Sequence, residues 1–326
     1  MKLFPALIVV SLMVVMPLSG LAADSLDQEL TSYQHNRDLD AIRERLAAAD
    51  PEVLATVTGR RWQAWLAQVD EDFERAVELL DQALEQAPND ARLVLFRASL
   101  RMLEFNGAGM MASMRIARAM RNDFERAVEL DPDLVAARTA LIQYHLMAPR
   151  VAGGSSRRAS EHMELLRQQS PERHLDLLAV KAATEDDIER SADYLAQALE
   201  IDDDADRRLN YGLALQQLER WDQARRQFDA IVESNPRHAA AWYQLGRTAV
   251  LEEAGLDQGL LAFERFLALP RWPGDPTLAA AWWRIGQIHE LREDQAAARL
   301  AYQRALQEDD QFEEARQALE ELEKLG

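Results

Sequence analysis

Residues 208–236 read RLNYGLALQQLERWDQARRQFDAIVESNP, and their pattern of large and small side chains recurs twice downstream. Tyr211-Gly212, Leu215, Ala224, Phe228, Ile231 and Pro236 stand 3, 4, 7, 16, 20, 23 and 28 residues after Arg208. The next unit carries Trp242, Leu245-Gly246, Ala249, Gly259, Phe263, Phe266 and Pro270, with one extra residue ahead of Gly259. The third carries Trp282, Ile285-Gly286, His289, Ala298, Tyr302, Ala305 and Asp310 without a shift. Self-similarity at such a period marks an array of stacked units rather than one globular core.

Each unit reads as two antiparallel helices. Gly212, Gly246 and Gly286, with Ala224, Gly259 and Ala298, supply small residues where the two helices approach closely. Trp242, Trp282, Phe228, Phe263 and Tyr302 fill the gap to the next unit. The closing proline ends the second helix. One such hairpin cannot bury its apolar face alone, so the units must stack.

The pattern resembles the tetratricopeptide repeat, in which Trp, Leu-Gly, Tyr, Ala, Phe, Ala and Pro recur over about 34 residues. The resemblance implies an all-α, right-handed superhelical solenoid of antiparallel helix pairs. It also implies a concave groove lined by the positions one and five residues after the Trp position. Here these are Leu209 and Leu213, Tyr243 and Arg247, and Trp283 and Gln287. Trp242 and Trp282 are expected in the core. Tyr243 and Trp283 are expected outside it, either touching the superhelix or the loop at Trp272, or serving as aromatic anchors for a ligand. Chaperone-binding members of the family grip a C-terminal carboxylate with Lys and Asn at these positions. The residues present here disfavour that function.

Upstream the signal fades. Leu175, Leu178-Ala179, Ala182, Ser191, Leu195, Ala198 and Asp203 form a degenerate unit. Arg138, Leu141-Ile142, His145, Ala159, Met163, Leu166 and Pro171 form another. Val94, Arg97-Ala98, Met120, Phe124, Ala127 and Pro132 precede it, and Phe73, Ala76, Leu80, Ala83 and Pro88 close the earliest, whose first helix includes Trp62 and Trp65. That makes about seven hairpins. A capping helix is expected over Leu26–Ala48, and an amphipathic one from Phe312, with Glu313, Glu314, Glu320 and Glu323 on its outer face. Insertions fall at Asn106–Ala112, Ala148–Ser156 and Pro270–Pro276. The organisation expected is thus a signal peptide over 1–22, a capping region over 23–56, and degenerate hairpins over 57–204. Three well-formed units then span 205–311, with a capping helix over 312–326.

The chain has 326 residues, 48% of them hydrophobic, no Cys and a net charge of −19. Lys2, the apolar stretch Leu3–Leu18 and the small residues before Ala23 read as a secretory signal cleaved after Ala22 or Ala23, leaving no stable membrane insertion, with an uncleaved membrane anchor as the alternative. A periplasmic or secreted location is therefore expected. Without cysteine there is no disulfide, thiol catalysis, thiolate metal site or lipid-attachment residue. The acidic balance makes nucleic acid and anionic lipid poor partners for the body of the protein.

No catalytic constellation stands out, and no cofactor or metal is expected. His35, His145, His162, His174, His238 and His289 lack metal-ligand spacing, and His145 and His289 occupy the repeat's Tyr position. Asp202-Asp203-Asp204 with Asp206 lacks the Gly and distant Glu of a calcium loop and reads as a solvated turn. Residues 149–154, followed by Arg157-Arg158, read as a connecting loop rather than a phosphate nest. The leading expectation is a non-catalytic scaffold for a protein or peptide. The alternatives are a small-molecule-binding component of a periplasmic transport system and an enzyme with an unrecognised site.

Overall fold

The computed structural model describes residues 25–102, 109–270 and 272–325. The signal segment and most of the insertion at Asn106–Ala112 lie outside the described residues. Within them the chain is helical, with no strand.

Helices α1 (Ser25–His35), α2 (Leu39–Ala47) and α3 (Pro51–Leu54) come first. Seven hairpins follow: α4 (Val57–Val69) with α5 (Phe73–Gln86), and α6 (Ala91–Arg101) with α7 (Met110–Leu130). Then come α8 (Val135–Met147) with α9 (Ser156–Gln169), and α10 (Pro171–Thr184) with α11 (Ile188–Ile201). The last are α12 (Ala205–Gln217) with α13 (Trp221–Ser234), α14 (Ala239–Glu252) with α15 (Leu256–Ala268), and α16 (Leu278–Leu291) with α17 (Gln295–Glu308), before α18 (Glu313–Leu325). Two compact units divide within α10, one up to Leu177 and one from Leu178.

The turn inside most hairpins repeats one chemistry. Glu71, Asp186, Glu219, Glu253 and Glu293 adopt left-handed backbone angles. The next N–H then reaches back to a carbonyl five residues earlier, as from Asp72 to Ala67 and from Asp294 to His289. In three of these turns that next residue is an aspartate whose carboxylate caps the following helix: Asp72, Asp187 and Asp294.

In the first unit, α4 to α8 enclose one core that includes Leu80, Leu93, Leu95, Phe124 and Leu141. A single capping helix was expected over Leu26–Ala48. The chain instead breaks at Arg37, which takes a left-handed φ of 54°, and Asp38 caps a second helix by accepting from the Ala41 N–H. Asp27 ties α1 to α4: its carboxylate, buried, accepts from the Arg61 guanidinium and from Trp62 Nε1 at 2.8 Å. A second expectation is corrected at Met110–Ala112, which lie inside α7 rather than in a helix-breaking insertion.

The Ala148–Ser156 connection contains a 3-10 turn, Arg150–Ala152. The Gly153 and Gly154 N–H groups donate to Arg150 and Pro149, and that of Ser155 to the His145 carbonyl. Tyr144 Oη donates to the Ala152 carbonyl at 2.6 Å. With these donors spent internally, the segment is a folded connector.

In the second unit the close-approach positions are literal. The Phe228, Phe263 and Tyr302 rings, all fully buried, lie against Gly212, Gly246 and Gly286. A Cβ on Gly246 would stand 2.6 Å from the Phe263 ring, closer than any real contact.

Candidate functional site

The first helices of the last three hairpins, α12, α14 and α16, present the residues expected to line a groove. The positions one residue after the Trp position turn out to serve packing. Tyr243 is buried, with its ring edge-on to Phe263 at 5.6 Å and to Phe266 at 5.5 Å. The expectation that it lies outside the core is corrected. Leu209, half-buried, packs on the cluster of Phe228, Ile231 and Ala241. Trp283, also half-buried, meets Phe312 at 6.0 Å, next to α18, and carries the Arg284 guanidinium 4.1 Å above its ring. Its aromatic partner is thus Phe312, and Trp272 is buried in its own loop, where its N–H donates to Asp275. Trp242 and Trp282, expected in the core, are half-buried and contact the clusters on either side.

The polar lining lies at the second and fifth positions, a spacing of three that also shares one helix face. In α14 these are Gln244 and Arg247, and in α16 they are Arg284 and Gln287. Arg247 donates to Gln216 Oε1 at 2.7 Å and to Gln244 Oε1 at 3.3 Å. Gln216, itself buried in α12, donates onward to Thr248 Oγ1 at 2.7 Å and to the Gln244 carbonyl at 3.2 Å. Arg284 donates to Gln287 Oε1 at 2.9 Å, while its Nε is buried without a hydrogen-bond partner. Leu213 is half-buried on the same face of α12. Of the sequence-derived candidates, Leu213, Arg247 and Gln287 keep an available face. Gln216, Gln244, Thr248 and Arg284 were missed.

The electrostatics of this face are unusual for so acidic a chain. Among the described residues neither Arg247 nor Arg284 has a carboxylate within ion-pair distance; their hydrogen-bond acceptors are the side-chain amides of Gln216, Gln244 and Gln287. Elsewhere arginines pair readily, as Arg208 does with Asp203 at 2.5 Å and Arg97 with Asp123 at 2.8 Å. Burial lowers the Arg247 pKa from its ordinary value, and the charge of Arg284 adds to the effect. Two guanidinium groups close enough to oppose one another, hydrogen-bonded to neutral amides and, for Arg284, stacked on Trp283, present donors and positive charge to an incoming anion.

The other chemistry-bearing residues have local roles. Asp204 caps α12 by accepting from the Arg207 N–H, Asp202 accepts from the buried Arg207 guanidinium, and Asp203 holds Arg208. The acidic run is therefore a helix start braced by arginines. His145 is buried with neither ring nitrogen hydrogen-bonded, and stacks on His162 at 6.5 Å. Among the described residues no three His, Asp or Glu side chains converge to hold a metal ion.

Residues 209–276 match a tetratricopeptide repeat family model. No curated protein matches the chain in sequence. Among solved structures, the human IFIT1 dimer with m7Gppp-AAAA is 15% identical with a TM-score of 0.58, over 91% of this chain and 71% of that one. YrrB, a TPR protein with an unusual peptide-binding site, is 18% identical over 74% of this chain and 98% of its own, with a TM-score of 0.37. The type IV pilus biogenesis factor PilW is 15% identical over 83% and 100%, with a TM-score of 0.45. At these identities the IFIT1 likeness establishes the helical-repeat fold and nothing of ligand or partner. The recurring spacing and the hairpins it produces make this chain a helical-repeat protein, and residues 209–276 within it match the tetratricopeptide repeat.

Proposed function

We propose that the chain is a non-catalytic periplasmic scaffold that binds a protein or peptide across α12, α14 and α16. In this reading Arg247 and Arg284 receive an anionic group of the partner. The observation that carries it is the pair of arginines hydrogen-bonded to amides, with no carboxylate in ion-pair distance among the described residues, in a chain of net charge −19. A carboxylate from an acidic side chain or a chain terminus would gain charge-assisted hydrogen bonds that the free protein leaves unmade. Leu213 and the exposed parts of Trp283 flank the arginines with apolar surface.

Affinity capture from a periplasmic extract tests this, with wild type and the Arg247→Ala, Arg284→Ala double variant as baits. Charge-assisted bonds contribute about 1.5–3 kcal/mol each, so the variant should hold a true partner at least tenfold more weakly. Equal recovery of the same partners by both baits would remove this face from consideration. Fractionation of the expressing cell tests the location, with the soluble periplasmic fraction as the expected place.

A further inference from the structure

The acidic excess of this chain is not evenly spread. From Gly109 to Asn122 the sequence contains Arg115, Arg118 and Arg121 and no carboxylate; from Tyr144 to Ser160 it contains Arg150, Arg157 and Arg158 and no carboxylate. These stretches meet where the connection packs on α7 in the first unit. Helices α6 to α9 pack successively as neighbours, and the Ala148–Ser156 connection lies beside the Arg118–Arg121 turn of α7, from which the first turns of that helix, with Met110, Met111 and Arg115, run outward. The 3-10 turn in that connection packs against α7, and a Cβ on Gly153 would strike the Arg121 guanidinium. The charges of Arg121 and Arg118 both act on the Tyr144 phenol of α8.

This edge of the first unit gathers exposed apolar side chains. Among the described residues the five most exposed large hydrophobics are Met110 at 79%, Met111 at 77%, Val151 at 71%, Leu300 at 67% and Met147 at 63%. Four of the five lie on this edge. The arginines among them differ in pairing. Arg157 reaches Glu161 and Arg158 reaches Glu125. Arg115, Arg118 and Arg150 are exposed and have no carboxylate within ion-pair distance among the described residues.

We propose that this edge docks the protein on an anionic phospholipid surface. Met110, Met111, Met147 and Val151 enter the boundary between headgroups and acyl chains, while Arg115, Arg118 and Arg150 meet lipid phosphates. Charge complementarity and apolar exposure select this occupant together. A membrane face is anionic at its surface and apolar just beneath, which is the order in which this edge presents cations and methionines. A soluble polyanion would engage the arginines and leave the methionines in water. Methionine also suits an irregular, fluid surface, being unbranched and adaptable. No described helix is long and apolar enough to cross a membrane. The net charge of −19 disfavours lipid for the body of the protein, and this edge is the local exception.

Vesicle flotation tests the proposal, using the chain as recovered from a secreting bacterium. Wild type and variants run side by side, so that their N-terminus is common. Phosphatidylglycerol-containing vesicles are compared with pure phosphatidylcholine. Wild type should float with the anionic vesicles, and this should fall as salt rises from about 50 to 300 mM. Each arginine near such a surface contributes about fivefold in partition, so Arg115→Glu, Arg118→Glu, Arg150→Glu together should weaken binding at least 100-fold. Met110→Ser, Met111→Ser should weaken it with all arginines intact. Circular dichroism keeps misfolded variants out of the comparison. Equal flotation with neutral and anionic vesicles, or a triple variant that binds like wild type, overturns the proposal. So does binding to a soluble polyanion such as poly-glutamate at equal strength with no effect of the serine variant, which would assign the edge to an acidic macromolecule.

Discussion

Single atoms at the helix crossings set the spacing of the hairpins. Gly246 is required because Phe263 fills the space a Cβ would need, and Phe263 is fully buried, so it cannot step aside. Gly246→Ala should therefore destabilise the protein by about 1–3 kcal/mol, read from chemical or thermal unfolding. Alanine at an exposed helix position should do no such harm. The glycine was legible in the sequence because it recurs with its aromatic partner at fixed separation. Tyr243 was not: successive helical residues differ by about 100° in direction, so a one-residue error in the lining register exchanges core for groove. Phe263 and Phe266, distant in sequence, decide which way Tyr243 faces. Arg284 likewise carries no motif, and only the absence of a carboxylate in ion-pair distance among the described residues marks it.

At the scale of elements, caps and buried pairs hold the hairpins to one another. Asp27 lies buried against Arg61 and Trp62, so Asp27→Ala removes the carboxylate that accepts from both the guanidinium and the indole inside the α1–α4 packing. Removing one partner of a buried pair costs about 3–5 kcal/mol. Hydrogen exchange should show α1 and α2 opening in that variant. Unchanged protection there would mean that apolar contacts alone dock the cap. A pH effect belongs to α8 and α9. Burial, reinforced by the charge of Arg158, holds the His145 ring below the ordinary histidine range; burial and then Arg138 do the same to His162. The unfolded chain therefore takes up these protons first, at about pH 6.5. Stability of this hairpin should be full above that value and fall as pH drops through the lower folded-state values. His145→Gln should flatten the fall, read from exchange rates in α8 and α9 between pH 7.5 and 5. The packing role of His145 was readable from its place at the repeat's Tyr position; its unsatisfied nitrogens were not. The break at Arg37 was also missed, since Asn36-Arg37-Asp38 interrupts a helical pattern without Gly or Pro.

For the molecule as a whole, a repeat array has near-neighbour energetics, so damage should stay local. Gly246→Ala should raise hydrogen exchange in α14, α15 and their neighbours while α4 to α7 keep wild-type protection. A uniform rise would contradict this. The helical-repeat fold was legible because three units keep their spacing almost unchanged, whereas the site was only half legible: repeats place a surface but do not choose its charges. A random peptide display selection on this protein is the most direct test of the central claim, run in parallel on the Arg247→Ala, Arg284→Ala variant. The expected result is enrichment of peptides bearing Asp, Glu or a free carboxyl terminus on wild type, lost on the variant. Peptides enriched without acidic groups, or enriched equally on both proteins, would contradict binding through the arginine pair.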